Sequence, residues 1–152
     1  TGPFVGISWK SPVVTPARLP NYTQISDWAP VFSLPDITFI NLQSTDFTDD
    51  LIEIYDEFGI TVHNFDDLDH YDDLDNVAAL SAALDVAVSV ATAVPTITAG
   101  VGTPTKFAAW RQSSWNNILL APAGPNVDLF ERNTWEPWDQ VFQSIAEDIA
   151  NH

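Results

Sequence analysis

Neither cysteine nor methionine occurs in the 152 residues, and Lys and Arg together number five against 21 Asp and Glu. Without cysteine there is no disulfide framework and no thiolate metal site, and the redox compartment is left open. Without clustered Lys and Arg the chain cannot grip a phosphate backbone, and a formal charge of −16 repels nucleic acid and anionic membranes alike. Apolar runs are also short: none reaches the roughly 18 to 20 residues needed to span a bilayer, and no basic-then-apolar leader opens the chain, so a soluble protein is expected. Histidine is limited to His63, His70 and His152, with no pair at the spacing of a zinc helix, which counts against a zinc hydrolase. Neither a Gly-x-Gly-x-x-Gly run nor a Walker loop is present. Gly6-Ile7-Ser8-Trp9-Lys10 lacks the second glycine that a nucleophile elbow requires. A chain that starts at Thr1 and has no Met is expected to be a piece of a longer protein or a processed product.

What is present is globular. Hydrophobic residues make up 45% and aromatic residues 12%, enough to build one well-buried core, and the length suits a single domain over residues 1–152. Short apolar runs, most with β-branched content, recur at Phe4-Val5-Gly6-Ile7, Ile37-Thr38-Phe39-Ile40, Ile60-Thr61-Val62, Val86-Ala87-Val88-Ser89-Val90, Phe107-Ala108-Ala109-Trp110 and Val127-Asp128-Leu129-Phe130. Helical spacing lies between most of them, at Trp28, Val31 and Phe32, at Leu51, Ile54, Tyr55 and Phe58, and at Leu74, Val77, Leu80 and Leu84. Such alternation predicts an α/β fold, an open, doubly wound and mostly parallel sheet of about six strands with helices on both faces. A last helix places Trp138, Val141, Phe142, Ile145 and Ile149 on one face, with Thr134 as its expected N-cap. Gly59, Gly100 and Gly102 stand where helix C-caps are expected. The Pro- and Gly-rich run at 121–126 reads as a surface loop.

The charges are unevenly placed. Twelve of the 21 acids fall between Asp46 and Asp75, and the run from Asp66 to Asp75 lacks the glycine and the terminal glutamate of a calcium loop at their spacing. Carboxylates at the starts of helices, favoured by the helix dipole, account for it better, and no metal is expected. Lys10 and Arg18 follow the first predicted strand, Arg111 the fifth and Arg132 the sixth, so four of five cations fall at the carboxyl edge of a parallel sheet, where ligands bind. Each is as readily explained by pairing with a surplus carboxylate; together they suit an anionic ligand such as a phosphate. After the fourth strand, Thr92 can cap a helix whose first turn tolerates Pro95, which would turn backbone N–H groups toward the same crevice.

These segments, taken in order, resemble the carboxyl-terminal half of two-domain GT-B glycosyltransferases, in a heptosyltransferase-like branch often fused to tetratricopeptide repeats. The resemblance runs through Val5-Gly6-Ile7-Ser8-Trp9-Lys10-Ser11, Asp27-Trp28-Ala29-Pro30, Phe39-Ile40-Asn41-Leu42-Gln43, Phe65-Asp66-Asp67-Leu68-Asp69, Ser89-Val90-Ala91-Thr92-Ala93-Val94, Ala99-Gly100-Val101-Gly102-Thr103-Pro104 and Leu129-Phe130-Glu131-Arg132. It implies that Lys10 contacts a donor phosphate and that the turn carrying Ser89, Thr92, Ala93 and Val94 cradles a diphosphate. Gln43, Arg111 and Trp115 would be candidates to line the nucleotide or sugar side, although Trp115 is better explained as a loop anchor packed on the domain. Related proteins often carry Asp where this chain has Ala91 and His where it has Thr96.

The resulting expectation is the nucleotide-sugar-binding domain of a bacterial, cytoplasmic glycosyltransferase. Its donor would be a nucleoside-diphosphate sugar, and its partners an amino-terminal half or tetratricopeptide repeats of the same protein. The alternative is a non-catalytic interaction or ligand-binding module on the same fold, with residues 115–125 as a protein contact. A free-standing flavodoxin-like ligand-binding domain is a third reading.

Overall fold

The computed structural model describes residues 2–10, 16, 22–44, 47–110, 125–133 and 136–151. Five strands, β1 (Phe4–Ser8), β2 (Thr38–Asn41), β3 (Val86–Ser89), β4 (Thr105–Trp110) and β5 (Val127–Arg132), form one sheet. All pair in parallel, in the spatial order β2-β1-β3-β4-β5. The helices are α1 (Ala29–Phe32), entered through a 3-10 turn (Ile25–Trp28), α2 (Thr48–Phe58), α3 (Leu74–Ala82), α4 (Val94–Gly100) and α5 (Asp139–Ala150).

The expected fold class holds with one strand fewer. The run 60–62 pairs with the sheet only through the single bridge of Ile40 with His63. That bridge consists of the Asn41 N–H donating to the His63 carbonyl at 2.8 Å and the His63 N–H donating to the Phe39 carbonyl at 2.9 Å.

Two apolar layers sandwich the sheet. On one face Val5, Ile7, Phe39 and Val88 meet Trp28, Val31 and Phe32 of the first helical segment, Ile54 of α2, and Phe142 and Ile145 of α5. Trp28 is fully buried and its ring centroid lies 4.6 Å from that of Phe142. Such aromatic pairs add roughly 0.5–1.5 kcal/mol beyond their area burial. On the other face Ile40, Leu42, Leu84, Ala87 and Val94 cluster with Leu80, under α3 and α4. Gly6 is needed there, because a Cβ would meet Leu42 Cδ1 and Leu84 Cδ1, each at 2.5 Å.

Helix ends follow local chemistry. Gly59 closes α2 in the left-handed region, φ 69°, and donates to the Tyr55 carbonyl at 2.9 Å. Gly102, φ 84°, plays the equivalent part after α4, while Gly100 is the last residue of that helix instead of its cap. The N-cap of α5 is Trp138, with no capping side chain, so the helix begins later than a cap at Thr134 would set; Thr134 itself lies outside the described residues. The indole N–H of Trp138 donates to the Tyr22 carbonyl at 2.9 Å, and burial of that ring fixes where the helix starts.

Candidate functional site at the β1–β3 switch point

In a parallel sheet the direction of winding reverses where the chain leaves β1 toward β2 on one side and reaches β3 on the other. At that point the loops beyond the carboxyl ends diverge and leave a crevice. The order β2-β1-β3-β4-β5 puts the reversal between β1 and β3, whose last residues, Ser8 and Ser89, are paired in register. Both serines are buried, so hydroxyls end two otherwise apolar strands. Thr92, from the turn after β3, bridges them: its Oγ1 lies 3.3 Å from Ser8 Oγ and 3.3 Å from Ser89 Oγ. Lys10 thus follows β1, and Thr92, Ala93 and Val94 follow Ser89, at the carboxyl ends of two neighbouring strands.

Gln43, just past β2, reaches the same point from below. Its Oε1 accepts the backbone N–H of Trp9 at 3.1 Å and of Lys10 at 3.2 Å, and its Nε2 donates to the Lys10 carbonyl at 2.7 Å. With 1% of its surface exposed, the side chain is spent on holding the loop after β1 in place. Asn41 fixes it in turn, accepting the Gln43 N–H at 2.9 Å.

Lys10 is half-buried, and its Nζ lies 2.7 Å from Oδ2 of Asp50 in the first turn of α2. That same oxygen accepts the indole N–H of the buried Trp9 at 2.8 Å. Sequence reasoning names neither Asp50 nor Ser8 as a site residue. The one legible signal was a serine ending each of two apolar strands.

The turn after β3 differs in detail from the cap expected at Thr92. Ala93 occupies the N-cap position of α4, and Thr92 Oγ1 accepts the Val94 N–H at 3.1 Å. Pro95 has no N–H. The amides of Ala93 and Thr96 have no acceptor among the described residues, and both residues are exposed. Ala91 is buried against Phe107 and Ala109.

The other cations sort by strand end. Arg132 closes β5 at the carboxyl edge, with its guanidinium 4.6 Å from the Trp138 ring centroid and a bond to the Glu136 carbonyl at 2.8 Å. Lys106 sits near the start of β4, at the amino edge, paired with Asp128 at 2.6 Å and with Asp148. Arg18, Arg111 and Trp115 lie outside the described residues.

Two carboxylates of the Asp-rich segment, Asp69 and Asp73, accept its own backbone N–H groups. Oδ1 of Asp69 accepts the N–H groups of Tyr71 and Asp72, and Asp73 caps α3 by accepting the Asn76 N–H at 3.3 Å. Asp49 and Asp50 stand in the first turn of α2, where the helix dipole favours them. His70, within the segment, is buried, and neither ring nitrogen has a hydrogen-bond partner among the described residues. Burial pushes its pKa below the ordinary 6.5, partly opposed by the charge of Asp69.

No protein-family model matches the chain. It is 31% identical over 147 residues to protein FlbA of Caulobacter vibrioides, a match that covers 95% of this chain and 24% of FlbA. Among solved structures it is similar to the E. coli heptosyltransferase WaaC with ADP, at a TM-score of 0.66 and 15% identity, over 98% of this chain and 45% of that one. The same enzyme with ADP-2-deoxy-2-fluoro heptose aligns at 0.63 and 15% identity, over 99% of this chain and 42% of that one. The chain thus spans about a quarter of its curated relative and under half of the heptosyltransferase, and it has the fold of a glycosyltransferase-type, Rossmann-like domain.

Proposed function

We propose that the chain is a single nucleotide-sugar-binding domain of a bacterial, cytoplasmic glycosyltransferase, with the diphosphate of the donor held at the β1–β3 switch point. The observation that carries this reading is the register of Ser8 with Ser89 and the contact of Thr92 Oγ1 with Ser8 Oγ, which supports a shared anion site for the segments that bear Lys10 and Thr92. The structural neighbour, a heptosyltransferase, is seen with ADP and with an ADP-sugar analogue, which supports a nucleotide as the ligand.

The chemistry follows from what each group offers. Lys10 provides a positive charge at the mouth of the crevice, and an arriving phosphate shares or displaces Asp50 as its partner. The exposed amides of Ala93 and Thr96 offer donors on the opposite loop. Fixed cations and oriented dipoles stabilise the charge that develops on a diphosphate leaving group without recourse to a metal. Gln43 contributes by holding the loop, and Arg111 would reach the nucleotide or sugar side. A partner half, whether an amino-terminal glycosyltransferase domain or tetratricopeptide repeats of the same protein, would supply the acceptor and any general base.

A second reading is a non-catalytic module on this fold. The observation favouring it is the packing of Ala91 against Phe107 and Ala109, which leaves an apolar methyl where related proteins often carry a carboxylate. Calorimetry with UDP, GDP and ADP tests the binding common to the enzyme reading. Saturable binding of one of them that weakens about tenfold or more in Lys10→Ala supports it. No binding of any of the three favours the module.

A further inference from the structure

We infer that the outward face of α2 docks a basic amphipathic segment of a partner protein. Five of the eleven residues in α2 are acidic, Asp49, Asp50, Glu53, Asp56 and Glu57, and none is basic. Asp49, Ile52, Glu53, Asp56 and Glu57 line a shallow open trough of about 470 Å³, which sets an isoleucine among four carboxylates. Ile52 is 55% exposed, and Tyr55, one turn along, is 59% exposed.

The surrounding chain repeats the pattern. Between Asp46 and Asp75 there are twelve acids and no Lys or Arg. Yet five of the eight large hydrophobic side chains that stand exposed among the described residues fall in this stretch: Ile52, Tyr55, Phe65, Tyr71 and Leu74. On α2 itself Ile52 and Tyr55 stand exposed within one turn of Asp49, Glu53 and Asp56, which sets apolar contact area beside charge of one sign.

Charge selects the occupant. An anionic membrane, a nucleic acid and a second copy of this chain, which itself carries −16, are all repelled by the carboxylates. A segment with Lys or Arg about one helical turn either side of an apolar residue complements both features. Its side chain seats on Ile52 and Tyr55 while its cations meet Asp49, Glu53 and Asp56. The face lies on α2, outside the switch-point crevice, and does not depend on what that crevice binds.

The test uses a labelled 14-residue helical peptide of Lys and Leu as the probe, titrated against the intact chain by fluorescence anisotropy, with circular dichroism confirming that each variant folds. Saturable binding is expected, weakening steeply between low and physiological salt. The double variant Ile52→Ser, Tyr55→Ser leaves the net charge unchanged and should lower affinity about fivefold or more, whereas Leu129→Ser, an exposed apolar residue elsewhere, should change it less than about twofold. Glu53→Gln with Asp56→Asn should weaken binding and flatten its salt dependence more than Asp139→Asn with Glu147→Gln on α5, which removes the same charge. The inference is overturned by equal effects of the two charge pairs, by indifference to Ile52 and Tyr55, or by no saturable binding up to about 100 µM peptide.

Discussion

Lys10 and Lys106 are the same residue type set at opposite edges of one sheet, and their surroundings differ in kind. Lys106, at the amino edge, has a side chain 6% exposed and two carboxylate partners, Asp128 and Asp148, in a groove of about 420 Å³ that also includes Pro3, Val86 and Ile149. Lys10, at the carboxyl edge, has a side chain 33% exposed, is paired with Asp50, and sits on a loop whose backbone is held by Gln43. At the amino edge the charge is buried and neutralised by its neighbours. At the carboxyl edge neutral hydrogen bonds fix the backbone and leave a charge near the surface. The first arrangement neutralises a buried charge; the second leaves a half-buried ion pair at the carboxyl edge.

Four substitutions or conditions sharpen that contrast. The largest effect is expected from Gln43→Leu, which strips the acceptor from two backbone amides and the donor from the Lys10 carbonyl inside the protein. Leaving such groups unpaired costs about 2–4 kcal/mol, readable in a denaturant titration. A loss near zero would mean that the loop is held some other way. Next comes Lys106→Ala, which leaves Asp128 and Asp148 facing each other. Since both carboxylates retain contact with water, about 1–3 kcal/mol is expected, and thermal unfolding at neutral pH measures it.

The same pair has a pH signature. Burial alone would lower the pKa of Lys106, but its bonds to Asp128 and Asp148 outweigh that and raise it above 10.5. Its contribution is therefore complete below about 10.5 and fades only as pH climbs through the raised value. His70 acts in the opposite range. Its pKa is lowered by burial, so the unfolded chain takes up a proton before the folded one does, and stability falls as pH drops below about 6.5. Chemical denaturation between pH 5 and 8 should show that slope, and His70→Phe should flatten it. The smallest effect on stability is expected from Lys10→Ala, under about 1 kcal/mol, because a half-exposed ion pair contributes little. Should Lys10→Ala unfold the protein as readily as Lys106→Ala, the two lysines do the same work and the contrast fails.

Much of this was legible in the sequence, for identifiable reasons. Strands buried on both faces of a parallel sheet read as near-continuous apolar runs, so β1, β2, β3 and the apolar part of β4 announce themselves, whereas β5, an edge strand with no buried residue, shows only as a short apolar run. The run 60–62 has a similar composition but meets the sheet only at the bridge that follows it, Ile40 with His63. Composition does not say where a ladder stops. Lys10 stood out because a residue just after a parallel strand falls on the ligand side, a rule of topology that needs no side-chain geometry.

The part of Gln43 was not legible, since a polar residue after a strand turns outward to a ligand or inward to a neighbouring loop with equal ease. Only the positions of the Trp9 and Lys10 amides decide between them. Asp50 was hidden by distance: forty residues separate it from Lys10, and its place in the first turn of α2 already gave it a sufficient explanation. Thr92 was legible as a capping residue, but the bond it makes, to the Val94 N–H with Ala93 at the N-cap position, starts the helix later than the sequence pattern suggests.

The most direct test of the central claim is a backbone amide NMR titration with ADP and UDP. Binding at the β1–β3 switch point predicts saturable shifts concentrated on residues 8–10, 43 and 89–96, absent in Lys10→Ala. Shifts that instead gather at Pro3, Asp85 and Lys106 on the amino edge, or that survive the loss of Lys10 unchanged, would contradict it.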